Sequence, residues 1–184
     1  MATQGPLSPG TLAEDSSYGF RSWGSFANAG ASDDAYASST IFDGFPSLYL
    51  KATNFGFSIP TDATIDGIEV HIERHANSTS NISDDRVRIV KGGVIGSTDK
   101  ASASAWPNSD QTANYGGASD LWGESWTPAN INASDFGAVL AARYNSPSGS
   151  DDAKVDHISI TVHYTPVAGG QAPRSLHQFR QRRA

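Results

Sequence analysis

Glu69, His71, Glu73 and His75 recur at every second position in "GIEVHIERHA". Side chains on a strand alternate between faces, so this spacing puts two carboxylates and two imidazoles in one row. These are zinc-ligand types, and His157 and His163 in "DHISITVHY" would join the row if the two segments paired. A solvated strand face with cross-strand charge partners has the same pattern, and that simpler reading is preferred. The acidic doublets Asp33-Asp34, Asp84-Asp85 and Asp151-Asp152 offer hard oxygen ligands suited to calcium. None has calcium-loop spacing, and Asp is a common turn residue. No G-x-S-x-G elbow, H-E-x-x-H helix or phosphate loop occurs, and no pair of acids stands out for glycoside hydrolysis. The chain is therefore expected not to be an enzyme and to use no metal or cofactor.

Aromatic residues offer a different chemistry. Trp106, Tyr115, Trp122 and Trp126 fall within 21 residues, and exposed rings of this kind stack on sugars. Trp106 and Tyr115 are the candidate glycan-stacking residues. The competing assignment, which is favoured, has Trp122 and Trp126 closing the core while Trp106 pins a long loop, since aromatic burial dominates core energetics. The N-x-S/T sites at Asn77, Asn81 and Asn132 matter only in a eukaryotic secretory route, for which nothing else in the sequence speaks.

The elements that position these residues are strands. "SLYLKAT" alternates Leu48, Leu50 and Ala52 with Tyr49, Lys51 and Thr53. "IEVHIERHA" puts Ile68, Val70 and Ile72 opposite the polar row, and "DRVRIVKGG" sets Val87 and Ile89 against Arg86, Arg88 and Lys91 before a Gly92-Gly93 turn. "FGAVLAARY" is expected as a strand, as is "KVDHISITVHYT", where the period of two runs from Ile158 to Tyr164. Thr127 before Pro128 predicts an N-cap and one helical turn through about Ala133. A short strand is expected at Tyr36–Ser38, and residues 97–120 read as a long polar loop. The glycines of "NFGF" and "DFGA" read as matched positions where an aromatic ring packs on backbone. Six to eight such strands define an all-β fold, a jelly-roll-like antiparallel β-sandwich, flanked by an extended N-terminal arm (1–20) and a C-terminal tail (166–184). The sandwich domain spans 21–165.

Composition agrees with one globular unit. The 184 residues are 38% hydrophobic and 17% charged, enough for one core and too short for two comfortable domains. There is no cysteine, which excludes disulfides, thiolate metal sites and a cysteine nucleophile. Residues 1–20 lack the basic start and apolar run of an export signal, and no stretch reaches about 20 apolar residues, so neither secretion nor a membrane span is expected. The net charge is −6, which disfavours general nucleic-acid binding by the body.

The segments "NFGFSIPTDATIDGIEVHIERHA", "DDRVRIVKGG", "DLWGESWTPANINASDFGAVLAARY" and "KVDHISITVHYT" resemble a group of β-rich proteins encoded among the structural genes of tailed bacteriophages, also found as modules in large bacterial surface proteins. The likeness covers roughly residues 45–165 and brings no catalytic motif. It implies a virion protein made in the bacterial cytoplasm: a capsid decoration (cement) protein bound to the major capsid protein or another virion protein. Proteins of that kind act as oligomers, and a trimer is expected. The alternative is a tail fibre, appendage or carbohydrate-binding module contacting host glycan.

The tail has a charge of its own. Arg174, Arg180, Arg182 and Arg183 give residues 166–184 a charge of +4 with no acid, leaving nine bases against 19 acids and −10 in residues 1–165. Ser175 is placed to cap a short helix with Leu176 and Phe179 on one side. Arg174, Leu176, Phe179, Arg180, Arg182 and Arg183 are therefore the expected docking residues, directed at acidic protein surface through forked arginine–carboxylate pairing.

Overall fold

The structure is a computed structural model that describes residues 1–42, 44–78 and 81–167. Its strands are β1 (Ala2–Leu7), β2 (Thr11–Asp15), β3 (Ala37–Phe42), β4 (Tyr49–Thr53), β5 (Thr64–Ala76), β6 (Ile82–Lys91), β7 (Val94–Ile95), β8 (Gln111–Gly117), β9 (Gly137–Tyr144) and β10 (Ser150–Thr165). One helical turn, α1 (Pro128–Asn132), and a 3-10 turn at Phe26–Ala29 complete the elements. From β3 onward the strands run β3-β10-β5-β8 in one antiparallel sheet and β4-β9-β6-β7 in the other. Apart from the β6–β7 hairpin, successive strands cross from sheet to sheet, giving the double Greek key of a jelly roll. The sandwich expected from alternation is the observed fold.

Alternation explains the core. Ile68, Val70 and Ile72 of β5 and Ile158, Ile160 and Val162 of β10 face Val87 and Ile89 of β6 and Ala138 and Leu140 of β9, all fully or nearly fully buried. Each large side chain contributes about 1.5–3 kcal/mol on leaving water. In β10 the period of two breaks between Val155 and Ile158, because a bulge there lets both point inward. A second bulge in β6, between Asp84 and Arg86, does the same for Ile82, Asp84 and Val87.

Several expectations need correction. Residues 1–20 are not a free arm: β1 pairs with β10, with Ala2 opposite Tyr164, and β2 pairs with β4, with Thr11 opposite Thr53. No side chain of either strand is fully buried, so hydropathy carries no trace of strands held at sheet edges by backbone bonds. Residues 97–120 are not all loop, since β8 pairs with β5 along Ile68–Arg74. Its "QTANYGG" buries only Tyr115. The strand expected at Tyr36–Ser38 is the start of the longer β3. Thr127 forms the predicted cap, a reciprocal capping box with Asn130 ahead of Pro128. The tail residues Arg174, Leu176, Phe179, Arg180, Arg182 and Arg183 lie outside the described residues.

The two matched glycines do different jobs. Gly56 has φ +72 with open space around it, so the left-handed backbone is what it supplies. At Gly137 a Cβ would lie 1.9 Å from the carbonyl oxygen of Ala52, where β9 is drawn against β4. Gly137→Ala is therefore expected to force these strands apart and to cost about 1–3 kcal/mol in urea unfolding.

Candidate functional site

The polar row on β5 does face β10, but its members go to separate partners. His71 contacts Asn114 Oδ1 (2.8 Å) through Nδ1 and Thr161 Oγ1 (3.1 Å) through Nε2. His75 Nδ1 lies 2.6 Å from Asp110 Oδ1, and the Tyr36 hydroxyl donates to the other oxygen of that carboxylate at 2.7 Å. His163 Nε2 is 3.7 Å from Glu69 Oε2, and His157 Nε2 is 2.9 Å from Ser8 Oγ. Among the described residues no three His, Asp or Glu side chains converge to hold a metal ion.

Burial holds the pKa of His157 below the ordinary imidazole value, against the opposing pull of Glu73 and Asp156. The unfolded chain then takes up a proton at His157 before the folded chain does, so this residue's contribution falls as pH drops below about 6.5. His157→Gln is expected to flatten the decline in Tm between about pH 7 and pH 5. Thermal melts of the two proteins across that range check it.

The acidic doublets serve the fold individually. Asp152 accepts from Thr40 (2.6 Å) and Asn77 (2.8 Å), while Asp151 accepts from the Ser78 hydroxyl (2.8 Å). Asp33 Oδ1 accepts the amide of Ala35 at 3.1 Å, a turn-residue role. Asp85 accepts the Tyr18 hydroxyl, whereas Asp84 points the other way, into the core.

There Asp84 organises the two residues expected to stack on glycan. Trp106 is 1% and Tyr115 5% exposed, so neither ring has a face open to a sugar. That assignment is corrected: both are structural. Trp106 Nε1 donates to Asp84 Oδ1 (2.8 Å), and the Tyr115 hydroxyl and the Ser102 amide donate to Oδ2 (2.8 and 2.9 Å). Arg74 of β5 closes the group, with Nη2 3.3 Å from Asp84 Oδ1, a bond to the Tyr115 hydroxyl at 2.9 Å, and its guanidinium 4.6 Å above the Trp106 ring. Burial and the Asp84 charge push the Tyr115 hydroxyl well above its usual pKa. Trp122 is buried, donating to the carbonyl of Ile68 (3.0 Å), and the half-buried Trp126 packs edge-on against Phe136. Arg74→Met leaves a dry carboxylate without its counter-charge and is expected to cost about 3–5 kcal/mol. Adding Asp84→Leu recovers only part of this, because Tyr115, Trp106 and the Ser102 amide then lose their acceptor; urea titration of both variants measures the difference.

The aromatic surface open to a ligand lies elsewhere, in the loops at the Ser150 end of β10. The β3–β4 and β9–β10 connections and Tyr18 enclose an open cleft of about 530 Å³ lined by Tyr18, Phe45, Pro46, Asp85, Arg143 and Tyr144. Phe45 and Phe20 are 45% and 68% exposed and meet edge to face at 5.7 Å. Phe42 lies 5.0 Å behind Phe45, with the Arg21 guanidinium 4.4 Å over its ring. Arg143 is exposed, and its Nε donates to Asn145 Oδ1 (2.9 Å) and Ser83 Oγ (3.3 Å). Partial burial and the Asp85 carboxylate raise the Tyr18 pKa to about 12, so it stays a neutral donor. Sequence reasoning missed this cleft. Its one local signal was the pair of Gly-Phe steps, "YGF" and "DGFP", which place rings in turns where no sheet face can cover them.

Fold and cleft together define the class: an all-β jelly-roll sandwich with an aromatic, arginine-bearing cleft among the loops at one end. Comparison with protein-family models, curated proteins and solved structures finds no match for the chain.

Proposed function

We propose that this chain is a structural protein of a tailed-bacteriophage particle, a decoration protein that docks on the head and stabilises it through its sandwich and its basic C-terminal tail. The observation that carries the reading is the placement of the four segments that resemble phage structural proteins. They fall on β5, β6, α1 with β9, and most of β10, two strands of each sheet, so the likeness is not confined to one strand. The charge separation supports docking as the mode of action. A body at −10 carrying a +4 tail favours contact between copies, or with acidic protein surface on the shell. Self-association, as a trimer, belongs to the same proposal. Binding only the assembled shell then stabilises that state by mass action. A second reading, a tail appendage contacting host glycan, is favoured by the open aromatic cleft.

Copy number separates the two. Quantitative mass spectrometry of purified particles is expected to find hundreds of copies, with particles lacking the protein more easily broken; a handful of copies and a changed host range would point to the appendage. Deleting residues 171–184 is expected to leave thermal unfolding unchanged and to lower particle occupancy. Full occupancy by the truncated protein would remove the tail from the docking role.

A further inference from the structure

We propose that the cleft between Tyr18, Phe45 and Tyr144 binds a saccharide bearing a carboxylate, with Arg143 pairing the acid and the aromatic rings taking the sugar faces. This goes beyond the particle role above and does not depend on where on a particle the protein sits.

The charge pattern is the first support. Residues 1–165 hold nine basic side chains among 19 acids, so in such a body a base is normally claimed. Six are: Lys51 by Asp15, Arg74 by Asp84, Arg86 and Arg88 by Asp99, Lys91 by Glu124 and Lys100 by Asp120. Among the described residues, Arg21, Arg143 and Lys154 have no carboxylate partner. Of these three, Arg143 lines the cleft, whereas Arg21 lies over Phe42, outside its lining. The Nε bonds to Asn145 and Ser83 orient Arg143 and, among the described residues, its two terminal amino groups have no partner, which suits a forked contact with a carboxylate.

The shape is the second support. About 530 Å³ falls in the range of small-ligand sites and suits one or two sugar rings. Phe45, 45% exposed, supplies a ring face, the half-buried Tyr18 and Tyr144 form the wall, and Asn145 and Ser146 offer partners for hydroxyls. An acidic peptide fits less well. Extended peptides dock through rows of free backbone groups, and the loop walls of the cleft contain Pro46 and Pro147, which have no N–H to offer.

Isothermal calorimetry on the full chain tests this, with a galacturonate trisaccharide, its neutral galactose counterpart and a glutamate oligopeptide as probes. The uronate is expected to bind at least about tenfold more tightly than the neutral sugar, and more weakly as salt rises. Arg143→Gln and Phe45→Ala should each weaken it by about tenfold or more with unchanged circular dichroism and Tm, since both side chains are largely exposed. Arg143→Lys should restore only part, because it keeps the charge without the fork. Absence of heat with the uronate, equal binding of the neutral sugar, equal or tighter binding of the peptide, or full binding by Arg143→Gln would each overturn the proposal. None of these outcomes alters the copy-number measurement, so the two readings fail separately.

Discussion

The salt bridge between Arg74 and Asp84 is a directional tie through the middle of this sandwich. Two β-sheets that meet only through Ile, Val and Leu side chains can slide with little penalty, because apolar burial has no preferred direction. Arg74 belongs to β5 of one sheet and Asp84 to β6 of the other, and their 3.3 Å contact allows one relative placement. Tyr115 brings in β8 and Trp106 the loop before it, both through the same carboxylate. Both carboxylate oxygens are engaged, so the network stiffens the core rather than leaving a half-paired charge in it. The bulge in β6 follows from this arrangement. The shift after Asp84 lets one strand point an acid inward and still return Val87 and Ile89 to the core.

What the sequence revealed depended on whether a residue's environment is set by its neighbours along the chain. β5, β6 and β10 were legible because their alternation is dictated by a buried face. The turn at Thr127 was legible because capping is local. β1, β2 and β8 were not, since their membership in a sheet rests on backbone bonds to strands far away in the chain. The same distinction governs the sites. Arg74 sits in phase with Ile68, Val70 and Ile72, a signal of inward placement that its charge obscured. Trp106 and Tyr115 carry the residue types of a sugar platform, and only the position of Asp84 shows that their polar edges are committed inside. The cleft draws on residues 18, 44–46, 85 and 143–147, and no spacing rule connects segments that far apart.

Strand β10 also gives the molecule a long axis with unlike ends. Ala2 pairs with Tyr164, so the first strand and the end of the last leave the sandwich together. Ser150 pairs with Phe42 at the opposite end, beside the cleft. Sixteen residues of strand separate the two by roughly 50 Å. The cleft therefore lies at the far pole of the sandwich from Thr165. Whatever meets the loops around Phe45 at one pole thus leaves the paired ends of β1 and β10 at the other untouched.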